Sequence, residues 1–236
     1  MKDLQASIDA AARSKICARN YKDQEVPDEL IEHLLKVATG GPYKQGRRYF
    51  DVYAITNPDK CKEIWNPHTA RPDEANRVLT VDRVNKDGTP ATFIGNAQVL
   101  APVLFVFMRC DPTPEYPKED LWNPSDQDMA AENEVNGMFA IGTAMGMLTY
   151  EANRQGLHTG NCFCFEPRPV TDLMQKWTGR TINLGKAYLL VGAGYPQEEW
   201  EGPENALQMR EHSIVEDHSY HTRPSDREDP QYYRIT

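Results

Sequence analysis

The sequence carries few of the groups that do chemistry unaided. No apolar run in its 236 residues approaches the roughly 18 that a bilayer-crossing helix needs. The longest, Ala101–Met108, is strand-sized, so no membrane span is expected. Met1–Ala12 holds acidic residues and no continuous apolar stretch, so it does not read as a signal peptide, and a cytoplasmic protein is the expectation. There are five cysteines (Cys17, Cys61, Cys110, Cys162 and Cys164), an odd number at irregular spacing, which argues against a disulfide framework. Cys162-Phe163-Cys164 lacks the two-residue spacer of a zinc knuckle or a thioredoxin-type site. P-loop, HExxH and Ser-x-x-Lys patterns are missing. Basic residues are outnumbered, 26 against 35 acidic, and the net charge of −9 makes a poor general binder of nucleic acid.

The charge that is present is uneven. From Gln197 to Thr236 there are ten acidic and four basic residues, so the tail carries −6 and the first 196 residues only −3. Basic residues gather early in the chain at Arg13, Lys15, Arg19 and Lys22, and again at Lys44, Arg47 and Arg48. We therefore divide the chain into a domain over 1–196 and an acidic extension over 197–236. His212, His218 and His221 fall in that extension and read as part of a solvated polar tail.

Periodicity supplies the elements. Asp3–Ser14 predicts a helix with Leu4, Ile8 and Ala11 on one face. Pro27–Val37 predicts a second, with Pro27 at its first position, Asp28 and Glu29 at the positive end, and an apolar stripe of Leu30, Ile31, Leu34 and Leu35. Tyr49–Thr56 reads as a strand and Pro58–Trp65 as a helix. Pro67–Pro90 and Pro112–Pro124 read as long loops, the first polar and irregular. Ala101–Met108 reads as a strand buried on both faces. Asp126–Gln155 reads as one long helix. Within it Gly137, Gly142 and Gly146 each cost about 1 kcal/mol relative to alanine, so close approach of another helix or a flat ligand is expected there. Val170–Trp177 is a further helix. Ala187–Val191 is a strand, and Gly192-Ala-Gly194-Tyr-Pro196 after it reads as a turn. In the tail, Asn205–Arg210 has some helical character and Gln231–Ile235 suits an edge strand. The order gives an α+β sandwich with helices on a mostly antiparallel or mixed sheet.

Several segments, taken together and in order, carry a resemblance. They are Lys15-Ile-Cys17-Ala-Arg19-Asn-Tyr21, Val26-Pro-Asp-Glu-Leu30, Gly40-Gly-Pro42, Asn96-Ala-Gln98-Val-Leu-Ala101-Pro102, Arg154-Gln-Gly156-Leu157-His-Thr-Gly160 and Gly192-Ala-Gly194-Tyr195-Pro196. Over about residues 8–196 the chain resembles the FMN-dependent nitroreductases. The resemblance implies a nitroreductase-like sandwich, with the long central helix at the interface of an intertwined homodimer and FMN bound there. It places Lys15, Cys17 and Arg19 at the flavin phosphate and ribityl chain, with Cys17 where the family usually has serine. A thiol is a weaker donor than a hydroxyl. The loop after Pro42 departs from the family pattern, leaving Lys44 and Gln45, with Asn96 and Gln98, as candidates for the pyrimidine edge. Phe163 and Cys164 fall where family backbone N–H groups approach flavin N5. Arg210 is the first choice for a late phosphate contact, ahead of Arg223 and Arg227.

The implied activity is ping-pong hydride transfer from NAD(P)H to an electron-poor small molecule such as a nitroaromatic or quinone. Tyr43, Tyr116 and Trp122 would shape the acceptor pocket. A cofactor of this kind explains the poverty of catalytic side chains, and no resident metal is expected. Two other readings stay open: a same-fold flavoenzyme that dehalogenates, cleaves flavin or dehydrogenates, and a flavin-binding protein without activity. A zinc site on His158, Cys162 and Cys164 is a weaker third.

Overall fold

A computed structural model describes residues 2–14, 17–19, 21–43, 48–65, 78–84, 90–94, 96–110, 126–163, 165–179 and 186–196. Its centre is β4, Val103–Arg109, whose seven residues are all buried. It pairs with β1 on one edge and β6 on the other in the sheet order β1-β4-β6-β5, and such a strand needs cover on both faces, which the helices provide. Here β1 is Phe50–Ile55, β5 is His158–Cys162 and β6 is Lys186–Gly194. All three pairings are antiparallel.

Alternation along the strands divides the core in two. One face presents Val103, Phe105, Phe107, Leu189 and Val191 to α2 (Asp28–Thr39) and α4 (Asp126–Arg154). The other presents Leu104, Val106, Met108 and Leu190 to α3 (Pro58–Trp65) and α5 (Pro167–Thr178). The first helix, α1 (Lys2–Arg13), lies against α4. Helix α5 opens on Pro167 and closes on Gly179 at φ 64°, the left-handed conformation that glycine adopts without strain. Pro27 stands just outside α2 as its N-cap, not inside it as its first residue.

Three further expectations change. Part of the segment read as an irregular loop is paired: β2 (Val78–Val84) and β3 (Pro90–Ile94) form an antiparallel hairpin apart from the main sheet. Gly192 and Gly194 lie inside β6 rather than in a turn after it. The glycines of α4 also divide. Gly137 is buried against Arg109, whose Nε lies 3.3 Å from where a Cβ would stand, so that close approach is within the chain. Gly142 and Gly146 face open space, in line with the exposed Val135, Met138 and Phe139. The expected elements at 205–210 and 231–235 and the loop at 112–124 lie outside the described residues. Among the described residues no helix is long and apolar enough to cross a membrane.

Two buried titratable groups make the fold acid-sensitive. Glu151 near the end of α4 accepts from Arg154, Gln155 and the His33 ring of α2. The Arg154 hydrogen bond is the main reason its carboxyl titrates down at about 2. Burial, with Arg13 nearby, lowers His158 to about 4. Both shifts favour the deprotonated form in the fold. As pH falls, the unfolded chain therefore takes up each proton first. Stability is lost through His158 from about pH 6.5 toward 4, and through Glu151 from about 4.5 toward 2. Urea midpoints across this range should fall with acid. H158Q should remove up to about 1.4 kcal/mol per pH unit of slope in the upper limb only. An unchanged upper limb in that variant would refute the assignment.

Candidate active site

The site forms where the chain leaving α1 crosses the outer edge of β5. Ala18 donates its N–H to the Thr159 carbonyl at 2.8 Å, and the Cys17 thiol points at the Asn161 carbonyl at 3.5 Å. An edge strand otherwise left open is covered in this way. Tyr21 then anchors the segment on β6. It bridges to Pro196, Lys22 N–H donates to the Tyr195 carbonyl, and the Tyr21 hydroxyl reaches the Ala18 and Gly192 carbonyls at 3.0 and 3.4 Å. Burial holds the Tyr21 phenol well above its ordinary pKa, so it stays a neutral donor.

This crossing requires a notch in the sheet. Gly160 of β5 and Gly192 of β6 are register partners on one face. A Cβ on Gly160 would lie 2.1 Å from the Ala18 carbonyl oxygen, and one on Gly192 would lie 1.8 Å from the Gln98 carbonyl oxygen. Gly194 gives the same clearance to Pro102. Glycine inside a strand marks close approach of another backbone, and here two segments settle into one place.

The second segment is the 3-10 turn Ala97–Leu100. Asn96 precedes it at φ 52°, left-handed and the one described non-glycine residue with positive φ. Its Oδ1 lies 3.6 Å from Cys162 Sγ. Gln98, only 3% exposed, sends Nε2 to the same Asn161 carbonyl that Cys17 faces, at 3.3 Å.

The structure thus joins Cys17 and Gln98 at one carbonyl and ties Asn96 to the same strand. Arg19 follows in the same segment, and Phe163 follows β5 with its ring 60% exposed. Lys15, Lys44, Gln45, Cys164 and Arg210 lie outside the described residues. Tyr21, Gly160 and Asn161 complete the arrangement without having been singled out as ligands. The usable signal was glycine in two apolar strands. His158 and Cys162 share one face of β5, and among the described residues no group of three or more His, Cys, Asp or Glu is placed to hold a metal.

Among the described residues, three buried atoms here have no hydrogen-bond partner: Arg19 Nη1, Gln98 Oε1 and Asn161 Oδ1. Each such atom costs about 1–3 kcal/mol, and more for a charged group, unless something pairs with it. A cavity of about 580 Å³ lies beside Arg19, lined also by Tyr21, Lys22, Glu25, Ala97 and Leu100 among others. The cationic donor of Arg19, which lines the cavity, and the neutral acceptors of Gln98 and Asn161, which do not, suit a ligand that offers both anionic oxygens and N–H or O–H groups. FMN offers a phosphate, carbonyls, a ring N–H and ribityl hydroxyls, so the residues present fit it.

Comparison with known proteins gives the family. A profile of the Nitroreductase family matches residues 11–195. An FMN-dependent nitroreductase of Clostridium difficile R20291 shares the fold at TM-score 0.55 and 16% identity, over 83% of this chain and 90% of that one. A nitroreductase family protein of Clostridium difficile 630 aligns at TM-score 0.52 and 15% identity, over 83% and 88% of the two chains. A proposed NADH oxidase of Clostridium acetobutylicum aligns at TM-score 0.50 and 15% identity, over 80% and 89%. A search of curated proteins finds no sequence match. That family match makes the chain a flavin-type oxidoreductase. The chain belongs to the nitroreductase family.

Proposed function

We propose that this protein is an FMN-dependent oxidoreductase that uses NAD(P)H to reduce an electron-poor acceptor, a nitroaromatic or a quinone. The carrying observation is the set of unpartnered buried atoms on Arg19, Gln98 and Asn161, in three segments that the family resemblance assigns to different parts of the flavin. FMN, when bound, supplies the hydride chemistry at its N5.

The chain's own groups bind and orient. Arg19 neutralises negative charge, and Lys15 and Arg210 are assigned to the same task by resemblance. Gln98 Oε1 and Asn161 Oδ1 accept from the ligand's N–H or hydroxyl groups. Asn96, Lys44 and Gln45 complete the pyrimidine edge in this reading. The exposed ring of Phe163 offers an apolar face to a planar nicotinamide or acceptor, with Cys164 behind it in sequence. No side-chain acid or base is needed.

The reading includes a homodimer. Val135, Met138 and Phe139 are exposed on α4 in line with Gly142 and Gly146, and Leu4 and Ile8 are exposed on neighbouring α1. A second copy would cover this apolar surface, and the acidic 197–236 extension would wrap it. The described cysteines are free thiols, which suits a reducing, cytoplasmic setting.

Anaerobic mixing tests the activity. NADH or NADPH should bleach the bound flavin, and a nitrobenzoate or benzoquinone should restore its colour. Initial rates at varied donor and acceptor should give parallel double-reciprocal lines. Flavin that neither nicotinamide reduces would reduce the proposal to flavin binding alone.

A further inference from the structure

We infer that Cys17 is an oxidation-sensitive gate on the flavin site: without flavin its thiol is open to hydroperoxide, and the sulfenic acid formed there blocks flavin binding. The inference rests on the flavin reading above.

Among the described cysteines, Cys61 and Cys162 are buried, while Cys17 and Cys110 are partly exposed. Position separates the last two. Cys110 directs its sulfur to the Met108 carbonyl two residues back, a local contact. Cys17 directs its sulfur across to β5, onto the Asn161 carbonyl. Gln98 is anchored on that same carbonyl and is 3% exposed, yet its Oε1 has no partner. Arg19, two residues further on, also has a buried Nη1 without one. The thiol and Gln98 therefore meet on one carbonyl, with Arg19 two residues along the chain. A ligand that paired with Gln98 Oε1 would lie beside the sulfur, which the described residues leave partly exposed.

The chemistry is simple. The Cys17 sulfur attacks one oxygen of hydrogen peroxide. An S–O bond forms and the O–O bond breaks. Sulfur gives up two electrons, the other oxygen is reduced, and the thiol proton leaves with it as water. The product, Cys–SOH, is reversible by thiols. Its added oxygen enters the space beside the Asn161 carbonyl and Gln98 amide where the ligand belongs. Serine at this position has the same reach and cannot undergo the reaction.

The experiment uses the full chain, prepared with and without FMN. Each sample is treated with hydrogen peroxide and dimedone, and the adducts are mapped by peptide mass spectrometry. Cys17 should be the strongly labelled site in the flavin-free protein, well above Cys61 and Cys162, and saturating FMN should suppress its label. In a parallel titration, peroxide should weaken FMN binding to the wild type by about tenfold or more, the equivalent of at least one lost hydrogen bond. Dithiothreitol should restore it. For C17S, the ratio of treated to untreated affinity should stay near unity. Unprotected Cys17 in a protein that binds FMN would overturn the gate and leave the flavin reading standing. So would equal peroxide sensitivity in C17S. If untreated wild type binds no FMN, the flavin reading fails and the gate with it.

Discussion

Alanine at Gly192 is expected to destabilise the protein by about 3 kcal/mol or more, at or beyond the upper end of ordinary overpacking. The methyl would stand 1.8 Å from the Gln98 carbonyl oxygen and 2.9 Å from the Ala101 Cβ. Neither is the far end of a flexible side chain. Relief requires either β6 or the 3-10 turn to move, and β6 is held between β4 and β5. The turn would give way, carrying Gln98 off the Asn161 carbonyl. G160A should behave alike, because its methyl would meet the Ala18 carbonyl oxygen at 2.1 Å and displace the segment bearing Cys17 and Arg19. Urea unfolding of the flavin-free protein gives the stability, and flavin fluorescence gives the affinity. Both should fall together in both variants. A G192A protein within about 1 kcal/mol of wild type would show that the two segments are not seated in this notch.

Replacing Arg19 by methionine should separate stability from affinity. The wild-type guanidinium leaves a buried Nη1 without a partner, a cost to the flavin-free fold. Methionine fills similar volume and removes that cost, so R19M should be no less stable than wild type before flavin is added. Its FMN affinity should drop by roughly 10- to 150-fold, the worth of about 1.5–3 kcal/mol for a hydrogen bond to a charged group. Loss of stability without loss of affinity would make Arg19 a structural residue and remove it from the site.

The legible parts of the fold were those set by local pattern. The unbroken apolar run at β4 dictates a strand covered on both faces. Pro58–Trp65 and the long helix α4 followed from periodicity and end signals. Gly192 and Gly194 were misread because a glycine pair after an apolar run looks the same whether it makes a turn or clears space. What decides is Gln98 and Pro102, which lie some ninety residues away in sequence but adjacent in the fold. The hairpin β2–β3 did carry a local sign, Val78–Val81 and Thr92–Ile94 about an Asp87-Gly88 pair, which the surrounding polar residues obscured. The fate of Gly137 depended on Arg109, again a contact that no periodicity encodes.

The site was legible only through resemblance. Lone Cys17, Arg19, Asn96 and Gln98 are ordinary polar residues by composition. Their significance comes from convergence on the edge of β5, a property of topology. Asn161 was passed over because its role rests on a main-chain carbonyl, which any residue supplies, and on one buried side-chain oxygen.

The central claim is that this arrangement holds FMN. The full-length protein should be mixed with excess FMN, freed of unbound flavin by gel filtration and scanned from the near ultraviolet through the visible. Flavin bands should travel with the protein in stoichiometric amount, and R19M treated in the same way should lose most of them. A wild-type protein that emerges colourless would contradict the account.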